Sequence, residues 1–159
     1  MISATFTSLI IGHYESALAT QAVLTAFIPM LMDTAGNAGS QASVTVIRSI
    51  SLNELSFRDL PTVLWKEFRV SLLCGISLSA CNFIKLMLVD GVTATVALVV
   101  SATLLFTIIC AKIVGCSLPI IAKKLKFDPA VMSSPFITTI VDAVCLLIYF
   151  GVASWLLGI

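Results

Sequence analysis

Residues 138–150 have the sequence TTIVDAVCLLIYF, in which one carboxylate, Asp142, lies inside an otherwise apolar run. An aspartate at the centre of a membrane-spanning helix costs about 2.5 to 3.5 kcal/mol when it faces lipid. Such a residue normally faces the interior of a helix bundle or a water-filled path. Ser134, Thr138 and Asp142 recur every fourth residue, so a helix would place them on one face. This row predicts an ion site that begins at one end of the helix and stops at the carboxylate.

Two plainer interpretations of Asp142 remain open from the sequence. The carboxyl group could be protonated, or it could pair with a buried cation. Lys112 is the basic residue that lies deepest within an apolar stretch, although it is placed toward one end of its segment.

The composition as a whole favours a membrane protein. Hydrophobic residues make up 59% of the chain and charged residues 11%, and the mean hydropathy is +1.12. A soluble domain carries about 25% charged residues. The net charge of +1 gives no basis for nucleic-acid binding. Five cysteines without a CxxC motif predict neither a disulfide framework nor a zinc site. No serine or threonine has a histidine or lysine placed to activate it, so no enzyme is predicted.

The hydrophobic pattern predicts an all-α integral membrane protein with five segments in one domain, residues 1–159. Four segments could cross the membrane completely, and the first is shorter than the about 20 residues that a crossing needs. We expect the charged stretch 51–69 to lie along the interface, with an N-cap at Ser56 or Asp59 and with Trp65 at headgroup level. The five segments cover residues 1–12, about 17–50, 70–89, 92–121 and 129–159.

Short signals mark the turns and the orientation. Asp90 and Gly91 predict the turn between the third and fourth segments, and Asp128 and Pro129 are typical of the start of a helix. Basic residues concentrate in loops 48–69 and 112–126. The positive-inside rule places these loops in the cytoplasm and the C-terminus outside.

A second polar cluster lies in PMLMDTAGNAGSQAS, residues 29–43. Asp33, Asn37 and Gln41 recur every fourth residue and would share one helix face. A face of this kind could line a pore, or it could be a helix-packing face whose amides are satisfied by neighbouring helices.

The same cluster contains features that loosen or thin a helix. Gly36 and Gly39 allow close approach of another backbone, as small residues do in membrane helices. Pro29 frees a backbone carbonyl one turn earlier, which at membrane depth is tolerated only where the backbone is buried or lines a cavity.

The candidate ligands are all oxygen atoms, a set that suits Mg²⁺, Ca²⁺ or Mn²⁺ better than zinc or copper. One carboxylate per chain is weak for a divalent ion, but two chains about a two-fold axis would supply two copies of Asp142. Mg²⁺ keeps several waters and is usually bound by only one or two carboxylates. A sparse pair of carboxylates in a wet pore therefore favours Mg²⁺.

Two stretches resemble the MgtE-type magnesium channels. PMLMDTAGNAGSQASVTVIR is similar to the second membrane helix of that family, including its G-N-x-G-x-Q motif at Gly36, Asn37, Gly39 and Gln41. KFDPAVMSSPFITTIVDAVCLLIYF resembles the fifth helix, with its D-P-A motif beginning at Asp128 and its pore aspartate at the position of Asp142. The resemblance extends over nearly the whole chain.

The resemblance implies a homodimer of five-helix subunits, with a pore at the dimer axis lined by helices two and five. Asp142 would bind a hydrated Mg²⁺ with the backbone carbonyl of Thr138. Ser134 stands where the family usually has asparagine, and its hydroxyl could still bond to the ion's water. Asp128 would lie at the cytoplasmic mouth and contribute to gating. Asp33, Gly36, Asn37, Gly39 and Gln41 would line or support the pore.

The expected function is inward flux of Mg²⁺ across a bacterial inner membrane, with no organic cofactor and with the bilayer and a second copy as partners. The family's cytoplasmic N-domain and paired CBS domains have no counterpart in these residues, so weaker closure by intracellular Mg²⁺ is expected. The alternatives are a cation-coupled carrier of divalent metals and a non-conducting membrane assembly domain.

Overall fold

The structure, a computed structural model, describes residues 2–13, 22–132 and 134–157, and regular secondary structure within these ranges is helical throughout. A helical turn, Ala22–Thr25, precedes the second long helix, and 3-10 turns at Phe57–Asp59 and Pro129–Met132 precede the third and the fifth. The predicted all-α class is confirmed. The long helices are α1 Ile2–His13, α2 Ile28–Ser51, α3 Leu60–Leu88, α4 Ala94–Lys124 and α5 Ser134–Leu157.

Helix α4 is at the centre of the fold, because it packs against α2, α3 and α5. Helix α2 also packs against α5, and α5 in turn carries α1. The largest buried cluster lies where these elements meet and includes Leu31, Ile108, Val141 and Tyr149. Helix α3 packs mainly against α4 and leaves most of its length exposed, as expected for a helix that faces lipid.

Three helical segments of the described chain are long and apolar enough to cross a membrane: 57–88, 94–124 and 135–157. We expected four segments that could cross completely, and three of the described helices meet the requirements of length and hydropathy. Helix α2 has 24 residues, about 36 Å, and so has the length, but its polar cluster lowers its hydropathy. Helix α1 has 12 residues, about 18 Å, which is too short for a crossing of about 30 Å, as predicted.

The charged stretch 51–69 was expected to lie along the interface as a segment separate from the next crossing, but its second half is continuous with that helix. Leu60 begins a helix that continues without a break to Leu88. The predicted cap is confirmed: Ser56 donates its backbone N–H and its hydroxyl to Asp59 at 2.9 and 2.8 Å. One of the charged residues of this helix, Glu67, pairs with Lys112 of α4 at 3.3 Å.

The turns agree with the sequence in one place and differ in another. Gly91 has φ +63° and makes the predicted turn between α3 and α4. The fifth helix was expected to start at Pro129, but Asp128 instead caps a 3-10 turn by accepting the N–H of Ala130 at 2.9 Å. The α-helix itself begins at Ser134. The proline of this motif therefore starts a tighter turn, and the helix follows it.

Pro29 coincides with an interruption of the helix that enters α2. Ala26 and Phe27 form a turn, and Phe27 donates its N–H to the carbonyl of Leu24 at 3.2 Å. The same Leu24 carbonyl accepts the hydroxyl of Tyr149 at 2.8 Å, and both residues are buried. The interrupted backbone at Leu24 is thus buried against α5 and satisfied by a side chain, as apolar surroundings require. The carbonyl that Pro29 itself would free belongs to Thr25, which is exposed.

Helices α2 and α4 cross at two glycines. A Cβ atom placed on Gly115 would overlap the carbonyl group of Gly39, and one placed on Gly39 would come 3.1 Å from the carbonyl oxygen of Ala111. The two backbones are therefore in direct contact, which requires glycine at position 115 and leaves only a tight space for a side chain at position 39. This crossing fixes the position of α2 and of the polar residues on its opposite face.

Candidate metal-ion site

An open-sided cavity of about 240 Å³ lies between α2 and α5. It brings together the two polar motifs of the sequence, although they are far apart along the chain. Bulk water occupies about 30 Å³ per molecule, so the cavity has room for several waters. Its lining consists of Met32, Asp33, Gly36, Asn37, Thr138 and Asp142.

Asp142 lies near the middle of α5, is partly buried and borders this cavity. The cation that could have neutralised it, Lys112, pairs with Glu67 instead, and the two side chains are only 14% and 16% exposed. Within residues 2–13, 22–132 and 134–157, no hydrogen bond or ion pair engages the carboxylate of Asp142. The interpretation of Asp142 as half of a buried ion pair is therefore not supported.

Asp33 and Asn37 form the opposite wall of the cavity. The amide nitrogen of Asn37 donates to Oδ2 of Asp33 at 3.2 Å, across one turn of α2. This bond orients both side chains and leaves the second carboxylate oxygen of Asp33 and the amide oxygen of Asn37 as acceptors. Both residues are exposed on the surface of the single chain, so the cavity opens on that surface.

Thr138 and Gly36 set the distance between the two walls. A Cβ atom on Gly36 would come 3.2 Å from Cγ2 of Thr138, so the threonine methyl group packs where the glycine has no side chain. The hydroxyl of Thr138 donates to the carbonyl of Pro135 at 3.1 Å. Ser134 is the first residue of α5, two turns before Asp142, and its side chain lies outside the described part of the structure.

The remaining residues that the sequence singled out lie outside this cavity. Gly39 is buried against α4 and against Ile137 and Val141 of α5. Gln41 borders a second cavity of about 280 Å³, between α2, α3 and α4, which Asp33 and Asn37 also line. Asp128 caps its turn at the end of the molecule where α4 finishes.

Sequence reasoning missed two contributors. Met32 lines the cavity, and the signal that could have identified it is its spacing of four residues from Gly36. The partner of Lys112 could not have been found from local spacing, because Glu67 is 45 residues away and lies in a stretch that was assigned to the interface.

The cavity offers oxygen ligands from the side chains of two aspartates and one asparagine. In the described part of the chain, no group of three or more histidine, cysteine, aspartate or glutamate side chains could hold a bare metal ion. This arrangement suits a hard divalent cation that keeps its water shell and is bound through those waters.

Comparison with known proteins agrees with this chemistry. The family model MgtE, described as a divalent cation transporter, matches residues 28–152. The chain is 38% identical over 145 residues, 91% of its length, to the magnesium transporter MgtE of Bacillus subtilis. It is 36% identical over 151 residues, 95% of its length, to that of Thermus thermophilus, and 33% identical over 151 residues, 93% of its length, to that of Enterococcus faecalis. The chain spans about one third of the length of these curated relatives.

Proposed function

The chain belongs to the MgtE family of divalent cation transporters, and from this membership we propose that it is the pore-forming part of a Mg²⁺ channel. Two copies of the chain would enclose the pore, and Asp142 of each copy would hold the hydrated ion. Mg²⁺ would enter the cell, since the membrane potential contributes about 2.3 kcal/mol per elementary charge per 100 mV and acts on two charges.

The single observation that carries this proposal is the cavity between α2 and α5, which exposes the carboxylates of Asp33 and Asp142 to the same space. A carboxylate at membrane depth normally faces water or a charged partner. No cation of the described chain pairs with Asp142. A hydrated dication supplies the missing positive charge.

A second copy of the chain accounts for the exposed polar face of α2. Asp33, Asn37 and Gln41 are all exposed on the single chain, and lipid contact with such a row would be costly. A two-fold axis beside α2 and α5 would cover this face and double the number of carboxylates around the ion. The pore would then contain four carboxylates, enough to attract a dication without removing its waters.

The other site residues have supporting roles in this proposal. In a continuous helix the carbonyl of Thr138 bonds the N–H of Asp142 and keeps its second lone pair, which can accept a hydrogen from metal-bound water. Ser134 would extend the polar row toward the mouth. Gln41 would support the helix-two side of the path, and Asp128 would act at the cytoplasmic mouth during gating.

The orientation and location complete the proposal. The loops 48–69 and 112–126 carry most of the basic residues and would face the cytoplasm, with the C-terminus outside. The membrane would be a bacterial inner membrane, since the three relatives compared above are bacterial proteins.

The test is Mg²⁺ flux into liposomes that contain the purified chain and a trapped Mg²⁺-sensitive dye. We expect Asp142→Asn to reduce the flux at least tenfold, because the substitution keeps the size of the side chain and removes its charge. Asp90→Asn is the matched control, since Asp90 lies in the turn between α3 and α4 and pairs with Lys85. Its flux should equal that of wild type.

Three results would contradict the proposal in different ways. Equal flux through Asp142→Asn and wild type would remove the role of this carboxylate. Flux that requires a proton or Na⁺ gradient would assign a coupled carrier. No Mg²⁺ flux through a wild-type chain that is folded and correctly inserted would assign a non-conducting membrane domain.

A further inference from the structure

A basic pocket lies at the end of the molecule where three helices meet. Helix α2 ends at Ser51, α4 ends at Lys124, and the 3-10 turn Phe57–Asp59 leads into α3. The pocket between them has a volume of about 140 Å³ and is separate from the cavity beside Asp142. It is lined by Ile50, Leu55, Ser56, Phe57, Ile120, Lys123 and Lys124.

The two lysines are held in place without being neutralised. The ammonium group of Lys123 donates to the backbone carbonyls of Ile50 and Leu55, each at 3.4 Å. The ammonium group of Lys124 lies 3.7 Å from the centroid of the Phe57 ring. Neither lysine forms an ion pair with a carboxylate of the described residues. Two positive charges therefore remain side by side, with donor hydrogens to spare.

The acidic groups nearby do not remove this charge. Asp59 is engaged by the backbone N–H and the hydroxyl of Ser56. Glu54 lines a neighbouring cavity that contains neither Lys123 nor Lys124. Arg58 and Lys126 are close in sequence and exposed, and they add positive charge to the same end of the molecule.

The depth and the lining of the pocket indicate what it binds. Helix α4 has 31 residues, about 46 Å, whereas the hydrocarbon core is about 30 Å thick. A helix of this length extends beyond the core, and Lys123 and Lys124 in its last turn favour the level of the lipid headgroups for this end. Ile50, Leu55 and Ile120 give the pocket an apolar floor, which is unsuited to a free phosphate ion but suits a headgroup attached to acyl chains.

We propose that this pocket binds the headgroup of an anionic phospholipid, with its phosphate on Lys123 and Lys124 and an acyl chain along the exposed side of Phe57. Basic pockets between membrane helices on the cytoplasmic side are suited to such headgroups. The bound lipid would connect the ends of α2 and α4, since Lys123 already joins them through Ile50. This inference requires that the chain is embedded in a membrane, and it does not require that the chain conducts ions.

The test is native mass spectrometry of the purified chain in detergent, titrated with dioleoylphosphatidylglycerol or with dioleoylphosphatidylcholine. The anionic lipid should bind more tightly. We expect Lys124→Gln to weaken its binding about fivefold, as loss of one lysine near an anionic surface does. Lys124→Arg should restore binding because it keeps the charge. Lys126→Gln is the matched control, since this neighbouring exposed lysine is not part of the pocket lining.

Three of the remaining outcomes count against the proposal. Equal binding of the two lipids would show that the pocket does not recognise negative charge. An equal loss in Lys124→Gln and Lys126→Gln would assign the binding to diffuse surface charge. Complete displacement of phosphatidylglycerol by millimolar inorganic phosphate would show that the pocket recognises the anion without its acyl chains. Loss of Mg²⁺ flux with intact lipid binding would leave this inference standing and would contradict the proposed function alone.

Discussion

At the scale of single residues, the neighbours of Asp142 explain how a carboxylate can lie in the middle of an apolar helix. Gly36 removes a side chain from the facing helix, and Asp33 and Asn37 supply a polar wall across the cavity. A carboxylate in this position has access to water, so it avoids the full cost of facing lipid. The sequence pattern alone predicted the position of Asp142 in its helix, because a charged residue in an apolar run is a local signal.

The fate of Lys112 shows what local patterns cannot predict. Its charge and its place in an apolar segment were evident, but its partner was not, because Glu67 is 45 residues away. The pair forms only when α3 continues through the charged stretch and packs along α4. Its low exposure also means that removal of one partner would leave a charge poorly solvated.

A substitution of Asp33 tests whether each chain contributes one carboxylate to the ion, Asp142 alone, or two, Asp142 and Asp33. The variant Asp33→Asn keeps an acceptor for the amide of Asn37 and removes one negative charge from the cavity. One charge about 5 Å from a dication in a wet site contributes roughly 1 to 2 kcal/mol. Both chains of the proposed dimer lose this charge, so we expect the Mg²⁺ concentration for half-maximal flux to rise at least tenfold, with a smaller loss of maximal flux than in Asp142→Asn.

The measurement is the dependence of liposome flux on Mg²⁺ concentration, with Asp90→Asn as the control of equal charge change. An unchanged half-maximal concentration in Asp33→Asn would show that this carboxylate does not contact the ion path. A complete loss of flux with normal folding would make Asp33 as important as Asp142, which also disagrees with the expected graded effect.

At the scale of helices, the boundaries show how packing overrides local signals. The charged stretch before residue 70 forms a 3-10 turn and then the first turns of α3, where Glu67 pairs with Lys112 and the apolar side chains pack against a buried cluster from α2 and α4. Asp128 and Pro129 are typical of a helix start, yet they begin a 3-10 turn. The cap was predictable from residue types, whereas the type of turn depends on how α5 packs onto α4 and α2.

Only one side of the crossing between α2 and α4 could be predicted from the sequence. Gly36 and Gly39 stood out because they form part of a motif, while Gly115 lies alone among branched residues and carried no signal. The structure places Gly39 against α4, inside the chain, and leaves the opposite face of α2 polar and exposed. The contact between Gly39 and Gly115 therefore positions α2 through the helix face opposite to its polar residues.

Gly115→Ala should destabilise the chain, because the added methyl group would overlap the backbone of Gly39, which has no flexible end that can move aside. Overpacking of this kind costs about 1 to 3 kcal/mol. We expect the midpoint of thermal unfolding to fall by roughly 2 to 10 °C, measured as the loss of the monodisperse size-exclusion peak after heating in detergent. The control is Gly151→Ala, because a Cβ atom at that glycine of α5 meets no atom within 4 Å.

The comparison of these two alanine variants isolates the contact from the helix propensity, which favours alanine over glycine at both positions by about 1 kcal/mol. Equal midpoints for Gly115→Ala and Gly151→Ala would mean that α2 and α4 can separate without cost. In that case the crossing would not fix the geometry of the proposed ion site.

At the scale of the whole molecule, a single chain in a membrane would leave polar side chains of α2 exposed to lipid. Helices α3, α4 and α5 are apolar enough to cross, whereas α2 presents a polar row beside an open cavity. The sequence predicted both properties from composition and spacing. It could not predict how the row and the cavity share one surface, because that depends on the crossing at Gly39 and Gly115.

This shared surface leads to the last prediction, which concerns two copies of the chain. If the two Asp142 carboxylates hold one ion, a pore with one Asp142→Asn subunit should lose most of its flux. Random pairing of equal amounts of wild-type and Asp142→Asn chains leaves about a quarter of the pores fully wild type. Flux should therefore fall to about a quarter of the wild-type value, whereas independent single-chain pores would retain about half.

The chains would be co-expressed with different tags, reconstituted in liposomes and assayed for Mg²⁺ flux over several ratios of the two forms. Mixing wild type with Asp90→Asn should leave the flux unchanged, and mass measurement in lipid nanodiscs should give twice 16.9 kDa for the protein component. A linear decrease of flux with the variant fraction, or a protein mass of one chain, would contradict a shared site. A decrease steeper than linear would support a shared site. It would mean that the effect of Asp142→Asn in one chain depends on Asp142 in the other chain, as expected when the two copies face each other.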